Sequence, residues 1–176
     1  MIRMQKAIDT VQLRRAFGAF PSGVAAICAR IDGQPVGMAA SSFTSVSVDP
    51  PLVSVCIQNT STTWPVLRER PRLGLSVLSQ WHDQACRQLA SKDADRFAGI
   101  DWDAGPHNSI FIRGASAWMD VSVYKEVEAG DHTIALLELH GLDVAPHSPP
   151  LVFYASKFRR ITLTEDEEFH IVAEQW

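Results

Sequence analysis

Two short stretches of this 176-residue chain concentrate side chains that make hydrogen bonds. The first lies in residues 37–51, GMAASSFTSVSVDPP, where Ser41, Ser42, Thr44, Ser45 and Ser47 sit among small residues; the second, NTSTTW, holds Asn59, Thr60, Ser61, Thr62 and Thr63. Such groups can serve a solvated loop, a polar strand face, or a cradle of donors for a phosphorylated ligand. Caps and turn hydrogen bonds account for either cluster alone. Both clusters, however, follow the end of a strand-like run, and the second opens a helix, where backbone N–H groups assisted by hydroxyls bind an anion without a lysine. Neither GxGxxG nor GxxxxGK[ST] occurs, so a nucleotide must be held by another device.

The remaining chemistry-bearing types form no compact set. Six histidines (His82, His107, His132, His140, His147 and His170) make no HExxH pair, and Cys28, Cys56 and Cys86 are odd in number without CxxC spacing. Neither a metal site nor a disulfide frame is therefore expected. His132, in AGDHT, stands at a turn-to-strand junction, where a structural hydrogen bond and a functional role are both open.

The elements that must position these groups are mostly strands. Val53, Val55 and Ile57 alternate with Ser54, Cys56 and Gln58, the period of a strand with one core face. VAAICARIDGQPVGMAAS reads as two strands turned at Asp32-Gly33. LGLSVLS, SIFIRGASAWMDVSVYKEV, HTIALLELHGLDVA and PLVFYASKFRRITL carry further strand signals, divided by Ala129-Gly130-Asp131 and by the loop 146–150. Helices are expected over 9–20, with Asp9 or Thr10 as cap, within TSTTWPVLRERP as a short helix bounded by Pro71, and over 80–97 from the spacing of Trp81, Ala85, Leu89 and Ala90. Six or seven strands that do not alternate with long helices favour a closed or nearly closed antiparallel barrel with Greek-key connections over a parallel doubly wound sheet.

One domain spans 1–176, ending in an acidic tail, 164–176, with apolar anchors such as Phe169, Ile171 and Trp176 suited to packing on a second subunit. Hydrophobic residues make up 46% and charged residues 20%, ordinary globular values. No run approaches the roughly 20 apolar residues of a membrane span. The charged amino terminus reads as helix rather than as a secretory signal, and with reduced thiols a cytoplasmic protein is expected. A net charge of -4 with scattered arginines makes nucleic acid a poor partner.

In its ordered motifs the chain resembles the short-chain flavin reductases, the reductase components of two-component flavin-dependent monooxygenases. The resemblance covers residues 17 to about 161 and rests on the ordered series FPSGVAAICA, GMAASSFTSVSVDPPLVSVCI, NTSTTWPVLRE, LGLSVLS, DRFAGIDW, AGDHTIALLEL and PLVFYASKFRRI. The resemblance implies a mainly β fold, the FMN-binding split β-barrel with Greek-key antiparallel strands and a few short helices. It also implies FMN or FAD, NADH or NADPH, a homodimer, and a flavin-dependent oxygenase as partner. Carried over, Ser41 and Ser42 bond the flavin ring edges, Ser47 lies near the ring or ribityl chain, and Cys56 packs against the ring. Asn59, Ser61, Thr62 and Thr63 serve the ribityl and phosphate groups, Lys92 and Arg96 the phosphate charge, and Phe97 is an apolar wall. His132 faces the flavin and receives the nicotinamide, while Tyr154 and Phe158 offer stacking beside Arg160. The family usually has Thr where Ala39 stands and Gly where Ser156 stands. A rival reading is a non-catalytic flavin- or haem-binding module or sensor on the same barrel. A third, a pyridoxamine-phosphate-oxidase-like protein, needs more basic phosphate ligands than the hydroxyl clusters supply.

Overall fold

A computed structural model describes residues 9–92 and 95–162. In chain order the elements are α1 (Thr10–Gly18), β1 (Ser22–Gly23), β2 (Ala25–Ile31), β3 (Gln34–Ala40), β4 (Thr44–Val48), β5 (Pro51–Gln58), α2 (Trp64–Leu67), β6 (Leu73–Val77) and α3 (Asp83–Ala90). There follow β7 (Trp102–Ala104), a 3-10 turn (Pro106–Asn108), β8 (Ile110–Ile112), β9 (Ala117–Ala129), β10 (His132–Val144), β11 (Val152–Tyr154) and β12 (Lys157–Arg159).

Seven strands form one sheet in the order β3-β2-β6-β9-β10-β5-β4, and every pairing in it is antiparallel. The β2–β3 hairpin turns on Asp32 (φ 50°) and Gly33 (φ 81°), the left-handed pair that an Asp-Gly dipeptide tolerates. Its two edge strands, β3 and β4, are consecutive in the chain, so the sheet rolls until residues 41–43 cross the gap. There Ser42 Oγ accepts from the Cys56 N–H (2.8 Å) and donates to the Cys56 carbonyl (3.0 Å). A side chain thus stands in for the missing ladder, and the barrel is split rather than closed.

Two cores lie on either side of β2. Inside the barrel Ile27, Val55, Leu75 and Leu137 pack with Trp64 and Leu67 of α2. On the other face Ala26 and Cys28 meet Leu89 of α3, Phe97, Ile110 and Leu151. Burial on both faces explains the small residues of β2, since 25–29 are fully buried. It also holds the Cys28 thiol protonated, pushing its pKa up to about 12.

The expected helix over 80–97 is shorter. Residues 79–82 form a turn in which the Ser79 N–H donates to His82 Nδ1 (3.1 Å), and burial holds the His82 pKa below its ordinary value, preserving that acceptor. Trp81, counted as a helical apolar position, is consequently outside α3 and 64% exposed. The chain leaves the helix at Ser91, which is extended. Beyond α3, Trp102–Ala104 form β7, paired to β8. Added short strands raise the number beyond the expected six or seven, which matches the main sheet alone. The tail 164–176 lies outside the described residues. Among the described residues no helix is long and apolar enough to cross a membrane, and no group of three or more His, Cys, Asp or Glu side chains is placed to hold a metal ion.

Candidate functional site

Where β3 runs into the 41–43 crossing, a cavity of about 640 Å3 opens between that segment, the end of β5, the 60–63 turn, the C-terminal end of α3 and the start of β10. Its size falls in the roughly 300–1,000 Å3 range of small-molecule sites. The walls exist because alternation along β5 sends Val55 and Ile57 into the core and turns Cys56 and Gln58 outward, where both line the cavity.

Hydroxyls and cations gather at one end. Thr60, Ser61, Thr62 and Thr63 line it, held down by the buried Trp64, whose N–H donates to Ser61 Oγ (3.1 Å) and whose indole Nε1 donates to Glu126 (2.6 Å). Arg96 Nη1 donates to Thr63 Oγ1 (2.7 Å) and to the Gly37 carbonyl (3.2 Å), tying that turn to β3, while Lys92 lines the same end. Gly37 is required by close approach: a Cβ there would meet Cys28 Sγ at 2.5 Å and Phe97 Cζ at 2.9 Å. Toward the 41–43 crossing stand Ser41, Ser42 and Cys56, while His132 enters the cavity from β10, opposite Gln58 in the ladder. His132 Nδ1 donates to Asp131 Oδ1 at 2.7 Å, and this hydrogen bond holds the Asp131 carboxyl below its usual pKa while Nε2 is the ring nitrogen left to face a ligand.

The structure therefore brings Ser41, Ser42, Cys56, Ser61, Thr62, Thr63, Lys92, Arg96 and His132 around one space. Five other candidates stand apart. Ser47 lies on β4 opposite Leu52 and is not among the residues lining this cavity. Phe97 is buried in the core beneath Gly37. Tyr154 is exposed at the end of β11. Phe158 lines an adjoining cavity instead. Asn59 acts as a clasp: its Nδ2 donates to the Gly130 carbonyl (3.1 Å), its Oδ1 accepts from Thr133 Oγ1 (2.9 Å), and its backbone N–H donates to the Asp131 carbonyl (3.0 Å). It holds the β9–β10 turn, and with it His132, against the end of β5.

The adjoining cavity, about 810 Å3, shares Ala39, Ala40, Ser41 and Ala90 with the first and extends to α3 and β12. Sequence reasoning missed Gln58 as a lining residue of the first cavity and Arg87 of the second. Gln58 was readable as an outward strand position beside the hydroxyl turn; Arg87 carries no local signal, because only tertiary packing brings α3 against β12.

A phosphorylated ligand with a planar ring fits this donor set, with the hydroxyls, Arg96 and Lys92 at one end and short polar side chains at the other. Comparison with known proteins points the same way. The sequence model of the flavin reductase like domain matches residues 17–162. A flavin reductase of Pseudomonas putida is 38% identical over 152 residues, covering 86% of this chain and 89% of its own. The reductase subunit of a flavin-dependent monooxygenase from Rhodococcus jostii is 35% identical over 156 residues, covering 89% and 80%. Among solved structures, an NADH:FAD oxidoreductase of Streptomyces globisporus in complex with NAD and FAD fragments superposes with a TM-score of 0.84 at 36% identity, over 90% of this chain and 96% of that one. Component B of nitrilotriacetate monooxygenase from Mycobacterium thermoresistibile gives 0.85 at 31% identity, over 98% of each.

Proposed function

The chain belongs to the flavin reductase like domain family, and on that premise we propose that it is a cytoplasmic NAD(P)H:flavin oxidoreductase, reducing FMN or FAD and supplying the reduced flavin to a separate flavin-dependent oxygenase. The observation that carries this reading is the convergence of the Thr60–Thr63 hydroxyls, Arg96, Lys92, Ser41, Ser42 and His132 on one cavity.

A flavin held in this cavity would supply the redox chemistry, as acceptor of a hydride from reduced nicotinamide. The chain's residues bind and orient. Arg96 and Lys92 offset the phosphate charge, and the 61–63 hydroxyls bond the phosphate and ribityl oxygens. Ser41 and Ser42 offer hydrogen bonds to the ring edge, and the Cys56 side packs against it. His132, its Nδ1 proton held by Asp131, presents Nε2 to the incoming nicotinamide and sets its position. No nucleophile is needed. We also assign a homodimer, because Val11 and Phe17 of α1 and Phe20 just beyond it are exposed at 60%, 71% and 77%.

Purified protein given FMN or FAD is expected to oxidise NADH or NADPH at a rate that depends on flavin, and to bleach flavin absorbance anaerobically. Nicotinamide oxidation unaffected by complete removal of flavin refutes the assignment. So does flavin that stays yellow under anaerobic NADH and NADPH, the behaviour of a binding module.

A further inference from the structure

Beside the site just described, the larger cavity has a distinct chemistry. Arg87, Lys157, Arg159 and Arg160 line it against a single carboxylate, Asp83. Among the described residues none of these four cations forms a salt bridge. The chain as a whole carries a net charge of -4, so this is a local concentration of positive charge rather than a generally basic face. Two of the guanidinium groups are stacked: that of Arg87 lies 4.8 Å from the Phe158 ring centroid and that of Arg160 lies 4.8 Å from the Trp81 ring centroid. Phe158 is in turn braced edge-on by Phe153 at 5.5 Å. Stacking holds a guanidinium plane in place while leaving its N–H edges available, the arrangement that suits phosphate oxygens.

We infer that this cavity clamps the adenosine diphosphate half of the nicotinamide cofactor, with Arg87 and Arg160 as its principal phosphate contacts. The inference rests on the reductase reading and names residues for the second substrate. Position decides between two adenosine phosphates that share this chemistry. The two cavities meet at Ala39, Ala40, Ser41 and Ala90, which includes the ring-edge Ser41; the Thr60–Thr63 turn and Arg96, which hold the phosphate end of the first cavity, do not border the second. A nicotinamide placed against the ring end trails its adenosine diphosphate into the larger cavity. The adenylate of FAD departs from the opposite, phosphate end.

Calorimetric titration of FMN-loaded protein with ADP tests this without turnover. ADP is expected to bind the native chain, with its Kd raised about tenfold in Arg160→Gln and more in the Arg87→Gln/Arg160→Gln pair, a loss of about 1.4 kcal/mol per tenfold. Arg160→Lys, which keeps the charge and loses the planar stack, is expected to fall between native and Arg160→Gln. FMN affinity and melting temperature report that each variant is folded. In steady state with FMN the change falls on KM for the nicotinamide cofactor rather than on kcat. Unchanged ADP affinity in the double variant overturns the inference. So does a selective loss of FAD affinity relative to FMN, with ADP binding retained, which assigns the arginines to the flavin's adenylate. Native protein that binds ADP through these arginines yet oxidises no nicotinamide with any flavin supports the clamp and refutes the reductase reading.

Discussion

His132 is fixed by its neighbours rather than by its own packing. Asp131 accepts its Nδ1 proton, and the β9–β10 turn that carries both is only as well placed as the bonds that hold it. Loss of this side chain in His132→Ala is expected to spare flavin affinity while slowing hydride transfer roughly tenfold to hundredfold, or about 1.4 to 2.7 kcal/mol in the barrier. Stopped-flow reduction, flavin affinity and melting temperature measured on one preparation separate this from a structural role. A destabilised variant that still reduces flavin at the native rate retires the positioning assignment. Ser42 illustrates the opposite economy of roles, since its hydroxyl already bonds both polar backbone groups of Cys56 and so bridges the split in the barrel as well as bordering the site.

Among the elements, the site depends on how turns are tied. Asn59 holds the end of β5 to the β9–β10 turn with two side-chain hydrogen bonds, each worth about 0.5–1.5 kcal/mol net. Asn59→Ala is therefore expected to cost about 1–3 kcal/mol in denaturant unfolding and to slow hydride transfer by freeing the turn that carries His132. An unfolding loss with an unchanged single-turnover rate contradicts the second half. The β11–β12 turn carries strain of its own, because Ala155 and Ser156 both adopt positive φ, 49° and 60°. Left-handed backbone costs an ordinary L-residue about 1–2 kcal/mol, and glycine returns about 0.4–1 kcal/mol of that through the greater freedom of the unfolded chain. Ser156→Gly is thus expected to stabilise the protein by about 0.5–1 kcal/mol and to raise the melting temperature by about 1–4 °C. An unchanged or lower Tm contradicts this account of the turn.

For the molecule as a whole, α1 is the conspicuous misfit in an isolated chain. Its capping box is complete, with the Gln12 N–H donating to Asp9 Oδ1 (2.7 Å) and the Asp9 N–H donating to Gln12 Oε1 (3.2 Å), yet it buries none of its residues. Its C-terminal end is tied to the β11–β12 turn through the Ala155 N–H, which donates to the Gly18 carbonyl (2.9 Å). An apolar helix face set on a fixed support calls for a partner, and a second copy supplies the same face by two-fold symmetry. Light scattering at micromolar concentration is expected to give twice the 19.4 kDa of one chain, and Phe17→Ser with Phe20→Ser to shift the mass toward the monomer. A native monomer with full flavin affinity contradicts the homodimer.

Local pattern alone determined much of this protein. Period-two alternation in β5, the Asp32-Gly33 hairpin and the Asp9 cap are written in adjacent residues, since each depends on backbone geometry over a few positions. The hydroxyl clusters were legible for the same reason, as was His132 beside its turn. Tertiary structure decided what no local window contains. The 79–82 turn displaced the start of α3 because a His82–Ser79 bond formed within a buried corner, overriding the helical spacing of Trp81. Phe97 went to the core and Asn59 became a clasp because their partners, Gly37 and the β9–β10 turn, lie about 60 and 70 residues away in the chain. The arginines of the second cavity meet for that reason too: Arg87 on α3 and Arg160 beyond β12 converge only after the sheet has rolled, and side-chain contact is a property of folded surfaces rather than of sequence neighbours.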